Sequence, residues 1–400
     1  MNYKLSKRVD KIQPSFTLQM ATVAAKMKNE GIEVVNFSVG EPDFNTPDHI
    51  IKAGKNAMDQ GYTKYTSGPG MIEFRNAISN KLLTENGVKV SLDEILVSNG
   101  EKQSLYTACQ ALFNAGDEVI VFQPYWVSFP EFVRLADADP IFINTVPDNN
   151  FEPDFDDLQS KITKRVKGVI LNSPSNPTGG VWSEESIVKL LIIAKKQGWT
   201  VISDECYERI IYQDKYKSTE KINQEHSIDA IVVTCMSLSK TYAMTGWRIG
   251  YSFGPKKIIN AMSKLQGQAT SCANSIGQMA GIAALSSSQD CVKKMVQLFK
   301  ERRDLMVSLL NQLPNVSCKT PGGAFYAFPD FSAYLNKTVD GKVLEDTFDL
   351  SEYILESVNV ATVPGDGFGS EGHIRFSYAT SRDIIKKGLK KVKSALSKII

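Results

Sequence analysis

The sequence predicts an α/β protein, with a larger domain holding a mainly parallel, open sheet flanked by helices and a smaller α/β domain built from both chain ends. Three observations carry this expectation. Between residues 95 and 255, short runs rich in β-branched residues alternate with helix-length segments, the pattern of strand–helix–strand units. Past Pro255 the pattern turns helical and then to short strands with two further helices. The length of 400 residues exceeds what one core usually serves, because cores stop growing near roughly 250 to 300 residues. The expected division assigns 1–45 to the small domain as an N-terminal segment, 46–290 to the large domain, and 291–400 to the rest of the small domain.

Charge and cysteine usage narrow the function classes. With 46 Lys plus Arg against 44 Asp plus Glu, a net charge of +2 gives no overall field for nucleic acid or an anionic membrane, so the expected partner is a small molecule. The start MNYKLSKRVDKIQPSFTLQM lacks the apolar stretch of a signal peptide, and no run of about 18 apolar residues occurs, which points to the cytoplasm. The six cysteines lack C-x-x-C spacing and are expected to be thiols. His49, His226 and His373 lie far apart, so no metal site is expected and each reads as a surface or structural residue.

Taken in order, residues 17–30 place Leu18, Ala21, Ala25 and Lys28 at helical spacing before Gly31. Residues 33–39 read as a strand ending in Gly40-Glu41-Pro42-Asp43, locally no more than a turn. Residues 94–98 read as a strand leading through Asn99-Gly100-Glu101-Lys102 into a helix to Phe113, and free N–H groups at such a helix start can hold an anion. Strands follow at 117–121, 166–171, 199–203 and 230–235. They deliver Pro124-Tyr125-Trp126, Asn172 to Gly180, Asp204-Glu205-Cys206-Tyr207, and Ser237-Leu238-Ser239-Lys240. A carboxylate at a buried strand end needs a partner, which makes Asp204 a candidate; Glu205 reads equally well as structural or surface. Ile258, Met262 and Leu265 mark a helix, residues 295–313 a long amphipathic one, and 349–357 and 384–400 two more, the last read as solvated on its lysine-rich face. Arg375 interrupts an otherwise apolar strand and reads by itself as a surface ion pair or a binding arginine.

The stretch 237–251, SLSKTYAMTGWRIGY, concentrates the chemistry. A lysine after a buried strand often faces solvent, but it is also the pattern of a nucleophilic or Schiff-base lysine. Ser237, Ser239, Arg248 and the close-approach glycines Gly246 and Gly250 add hydroxyls and a guanidinium suited to phosphate. The same residues also fit the S-x-x-K motif of penicillin-recognising serine enzymes, whose S-D-N and K-T-G elements are missing here.

Ser-x-x-Lys followed by Gly-x-Arg-x-Gly, together with S-V-G-E-P-D-F, N-P-T-G and R-x-S-Y-A-T, resembles the class I (fold-type I) pyridoxal-phosphate-dependent aminotransferases, in their bacterial-type aspartate aminotransferase branch. The resemblance runs through most of the chain. It implies that Lys240 carries pyridoxal 5'-phosphate as a Schiff base, with Gly100, Glu101, Lys102, Ser237 and Arg248 on the phosphate. Glu101 and Lys102 would act through their backbone, with the Glu101 side chain turned away, since the family favours a small residue there. It further implies Asp204 on the ring nitrogen, Trp126 on the ring face, and Asn176 and Tyr207 on the ring hydroxyl. Gly40, Trp126, Asn176 and Arg375 would bind substrate, and Tyr65 would reach a neighbour's phosphate across a homodimer interface.

The implied reaction moves an amino group between an L-amino acid, aspartate first, and a 2-oxo acid, 2-oxoglutarate first. Aromatic or other amino-acid transfer and a C-S/β-lyase of the same fold are alternatives. A cofactor-binding transcription regulator is disfavoured, because about 40 residues before Gly40 are too few for an independent DNA-binding domain. For a distal carboxylate, residues 104–113 offer no cation, so Tyr106, Gln110 and Ser15 are the expected neutral donors, with only a modest preference for aspartate.

Overall fold

The computed structural model describes residues 3–14, 16–212 and 216–400, without the side chains of 17–19 and 21. Ser15, and the Leu18 and Ala21 side chains of the expected N-terminal helix, therefore lie outside the described residues, although the helix Phe16–Asn29 forms.

Eight strands make the central sheet: β1 (Ile95–Ser98), β2 (Glu118–Gln123), β3 (Asp139–Val146), β4 (Glu152–Pro153), β5 (Val166–Asn172), β6 (Thr200–Asp204), β7 (Ile231–Ser237) and β8 (Gly250–Phe253). Their spatial order is β1-β8-β7-β6-β5-β2-β3-β4. The run from β7 to β3 is parallel, whereas β8 is antiparallel to both its neighbours and β4 is antiparallel to β3. A mainly parallel, open sheet is thus found, with two strands that the sequence reading did not name, β3 and β4, and a third, β8, hidden in the glycine-flanked arginine motif.

Successive side chains in a strand point to opposite faces, so an apolar run buried on both faces must serve two cores. Val119 and Val121 pack with Leu105, Phe132 and Met262 on one face, while Ile120 packs with Leu190 and Leu191 on the other. The helices responsible are Glu101–Leu112, Ser128–Leu135 and Lys256–Ala269 on the first side, and Glu184–Gln197 on the second. In Lys256–Ala269 the buried residues are Ile259, Met262 and Gln266, and Leu265 is exposed.

The second core gathers around a three-stranded antiparallel sheet, in which Ile374–Ser377 lies between Tyr326–Ala327 and Val363–Pro364. It is covered by Asp290–Leu310, Thr347–Val358 and Arg382–Leu396. The last helix starts where Ser381 Oγ accepts the Ile384 N–H. It buries Ile385, Leu389, Val392 and Leu396 at helical spacing, so only its lysine face is solvated. The expected strand at 33–39 shortens to Val35–Asn36, which pairs parallel with Val360–Ala361 and brings the N-terminal segment onto this core. All six cysteines are free. Among the described residues, no helix is long and apolar enough to cross a membrane.

Candidate active site

Parallel strands direct their carboxyl ends to one edge of a sheet, where loops and helix starts leave polar groups unsatisfied. Here the ends of β1, β5, β6 and β7 meet the second core around a cavity of about 480 Å³. Gly40, Glu101, Lys102, Trp126, Asn176, Asp204, Tyr207, Ser237, Lys240, Arg248 and Arg375 all line it. Residues as far apart in sequence as Ser38 and Arg375 therefore share one space.

Lys240 is half-buried past the end of β7, and its Nζ donates to the Gly40 carbonyl at 2.5 Å. β7 arrives as a buried strand, and Ser237 Oγ then accepts the Ser239 N–H at 2.9 Å, turning the chain so that the lysine faces the cavity. Arg248 holds a left-handed backbone conformation with φ 53°, uncommon for a residue with a Cβ and typical of functional sites. Its Nη1 donates to the Thr245 carbonyl at 2.8 Å. Gly100 has φ 79°, and a Cβ there would overlap the Arg248 guanidinium; a Cβ on Gly250 would run into the Glu101 amide and Gly100. These two glycines set the close approach of β1 to β8. Gly246, expected to do the same, has open space around it. Arg248, Ser237, Ser239 and the first residues of Glu101–Leu112 line the cavity together, a set of donors suited to an anion.

On the floor, Asp204 closes β6 and is 4% exposed; its Oδ1 accepts the Cys206 N–H at 3.1 Å. Burial pushes its carboxyl up to about 6, against the opposing pull of hydrogen bonds and the Lys240 charge. Tyr207 donates to or accepts from the Tyr326 hydroxyl at 2.9 Å, and burial pushes its phenol well above the ordinary value, with Tyr326 as the next cause. Glu205 is buried, not at the surface. It accepts from the Thr219 N–H at 2.9 Å, Ser203 Oγ at 3.0 Å and Ser218 Oγ at 3.1 Å, which makes it structural.

Arg375 is 2% exposed, so the surface ion-pair reading is wrong. Its Nη1 donates to Asn176 Oδ1 at 2.9 Å and Nη2 to the Ser38 carbonyl at 2.8 Å, and the guanidinium lies over the Tyr326 ring at 4.5 Å. No carboxylate neutralises it among its hydrogen-bond partners, and its Nε finds none at all among the described residues. A buried, uncompensated guanidinium with free donors is prepared to receive an anion.

Tyr326 and the side chain of Lys102 are polar parts of the wall that were not read from the sequence as such. Tyr326 sat in an apolar strand with nothing to mark it. Lys102 was assigned by its backbone alone, yet its Nζ stands 5.1 Å from the Trp126 ring centre and its ammonium is lowered by burial, with Arg248 as the second cause. The helix begins at Glu101, so Lys102 is on it, and the expectation of no cation there fails. Tyr106 and Gln110 do not line the cavity: Tyr106 packs edge-on against Phe132 at 6.2 Å, and Gln110 Nε2 is buried without a partner among the described residues. Tyr65 is also absent from the wall and is 87% exposed.

Residues 32–392 match the family model "Aminotransferase class I and II". An aspartate/prephenate aminotransferase of Nitrosomonas europaea is 40% identical over 98% of this chain and 100% of its own length. A bifunctional aspartate aminotransferase and glutamate/aspartate-prephenate aminotransferase of Petunia hybrida is 42% identical over 99% of this chain and 83% of its own. The crystal structure of the aspartate aminotransferase from Rhizobium meliloti superposes with a TM-score of 0.95 at 38% identity, covering 100% of both chains. That of the Thermus thermophilus enzyme with maleate gives 0.91 at 37%, covering 98% of this chain and 100% of its own. Likeness of this extent in sequence and in backbone is that of common descent, and the chain belongs to the class I and II aminotransferases.

Proposed function

We propose that this aminotransferase uses pyridoxal 5'-phosphate to exchange an amino group between L-aspartate and a 2-oxo acid, 2-oxoglutarate first, acting as a cytoplasmic homodimer in amino-acid metabolism. The carrying observation is that one cavity holds a lysine amine, a buried carboxylate and two arginines, each with a different task to perform. The donor set fits the cofactor. The cradle that side chains at Gly100 and Gly250 would fill suits its phosphate through Arg248, Ser237 and the helix-start N–H groups of Glu101 and Lys102. Asp204 answers a protonated ring nitrogen, Trp126 offers a face to the ring, and Tyr207 and Asn176 offer polar groups to the ring hydroxyl. The exposed Tyr65 is left for the phosphate of a partner subunit. Residues 1–45 with 291–400, and 46–290, are the small and large domains we expect to meet at this cavity.

When bound, the cofactor supplies an electron-withdrawing ring that makes the substrate Cα–H acidic. The protein's residues do the rest. Lys240 would hold the cofactor covalently, and its amine, facing the cavity, would serve as the base that carries the Cα proton. Asp204, as carboxylate, keeps the opposing positive charge in place through the reaction. Arg375 receives the α-carboxylate; because Asn176 and Ser38 already fix its plane, little freedom is lost on binding. Lys102 stands where a distal carboxylate can reach a cation, which supports aspartate over neutral amino acids, as does the dicarboxylate maleate in the Thermus relative. This replaces the expectation of neutral donors and modest preference.

The test is a half-reaction: purified enzyme is mixed with one amino acid at a time and the cofactor absorbance is followed, then restored with 2-oxoglutarate. Restoration by a 2-oxo acid supports transfer; pyruvate and ammonia released without any 2-oxo acid would instead point to a lyase.

A further inference from the structure

A glutamate in the first turn of a helix normally stays ionised, since the helix N-terminus favours negative charge and solvent is near. Glu101 departs from this. It is 5% exposed, and its carboxyl shares the cavity floor with the Asp204 carboxyl and the Cys206 thiol, the three groups' polar atoms all lying within 4.8 Å of one another. Two buried carboxyls at such range cannot both carry charge without a large penalty, so one of them keeps a proton. The surroundings decide which. Asp204 has a backbone N–H on Oδ1, which favours its ionised form, whereas Glu101 Oε1 has no hydrogen-bond partner among the described residues.

We propose that Glu101 is a positioning residue that acts through Asp204: it holds a proton, offers its O–H to the Asp204 carboxylate, and keeps the pair at a single negative charge facing the cofactor's ring nitrogen. This rests on the cofactor reading given above. Burial pushes the Glu101 carboxyl well above the usual carboxylate range, the Asp204 charge being the next cause, while Asp204 rises only to about 6. The groups facing Glu101 are Asp204 and Cys206 from the end of β6, Cys235 from β7, Tyr251 from β8 and Lys240 beyond β7. The two thiols and the phenol are raised by burial and stay neutral, so Lys240 is the one cation among them, and it opposes protonation without reversing it.

Infrared difference spectroscopy on the protein as purified, wild type minus Glu101→Gln near pH 7.5, reads the proton directly. The expected result is one protonated-carboxyl band in the wild type that shifts in heavy water and is missing in the variant. A difference spectrum showing only an ionised carboxylate would overturn the proposal while leaving amine transfer, and hence the cofactor reading, untouched. If Glu101→Gln does not fold, Asp204→Asn takes its place: the Glu101 band must move because its acceptor changes from carboxylate to amide, and an unmoved band overturns the pairing. In turnover, Glu101→Ala should lose at least tenfold more kcat than Glu101→Gln, whose amide still offers Asp204 a donor, with KM for the amino acid nearly the same in both. Equal kcat losses would mean that a donor at this position does not sustain Asp204, and would overturn the pairing.

Discussion

Replacing Arg375 by leucine removes the group we assign to the α-carboxylate, and its cost can be worked from the site. Of five N–H donors, one goes to Asn176 Oδ1 and one to the Ser38 carbonyl, leaving three, including Nε, without a partner in the described structure. The substrate carboxylate can therefore be met by two parallel donors in a site that is 2% exposed. Truncating one partner of a buried, hydrogen-bonded charge pair costs roughly 2–5 kcal/mol, or about 30-fold to 5,000-fold in kcat/KM. We expect a value near the middle, on the order of 300-fold, because stacking on Tyr326 already relieves part of the guanidinium's burial. Since every amino acid has an α-carboxylate, aspartate and phenylalanine should lose alike. Lys102→Ala supplies the contrast: a charged hydrogen bond is worth roughly 1.5–3 kcal/mol, so aspartate should lose about 10-fold to 150-fold and phenylalanine almost nothing. The assay is stopped-flow half-reaction kinetics on both variants with both amino acids, with thermal melts to confirm folding. A loss confined to aspartate in Arg375→Leu would refute the α-carboxylate assignment and exchange the roles of the two cations.

Borohydride reduction should fix the cofactor to the wild-type chain but not to Lys240→Ala, as intact mass will read; covalent cofactor in the variant would put the anchor on another lysine. Asp204→Ala should slow proton removal from Cα by several orders of magnitude while leaving that covalent attachment in place, measured with aspartate deuterated at Cα. Tyr65→Ala should weaken cofactor affinity, and dilution to monomer should do the same; a monomer that holds cofactor as tightly as the dimer would end the cross-interface role. Burial raises the Glu205 carboxyl to about 7, against the pull of the Thr219 N–H and with the like charge of Glu208 adding to the rise. A folded value raised above the unfolded one favours the fold at low pH, and that contribution is lost as pH climbs from about 4.5 through 7. Glu205→Gln should flatten the fall in urea midpoint across this window, and an unchanged slope would show that Glu205 stays ionised.

Much of this was legible because fold-type I chemistry is laid down at strand ends. Asp204 closes β6, Ser237 ends β7 and Lys240 follows it closely, so a local reading of strand and turn singled them out, whereas Asn176, after β5, read locally as a turn and was named through its N-P-T-G context. Arg375 was found through its R-x-S-Y-A-T context but not its burial, since one strand does not say what covers it. The misreadings of Lys102, Tyr106 and Gln110 share a cause, which is helix phase. In Glu101–Leu112 the cavity face carries Glu101, Lys102 and Leu105, and Tyr106 and Gln110 belong to a different stripe that meets Phe132. Starting that helix three residues late, at 104, removed Lys102 from consideration and turned the supposed face with it. β8 was missed because a four-residue strand opening on glycine offers too little periodicity, and Tyr326 because an aromatic in an apolar strand looks like core from either side.

Arg375 joins parts of the chain that are made far apart in time. Its partners Ser38 and Asn176 lie 337 and 199 residues before it, and Val35–Asn36 finds its strand partner only at Val360–Ala361. On the ribosome, the whole of the central sheet is available once residue 253 has emerged, whereas the carboxylate clamp must await the last strand of the second core. Contacts of such long sequence separation form slowly. On the proposed reading, the newborn protein should therefore complete the sheet edge that would cradle a cofactor's phosphate well before it can grip a substrate.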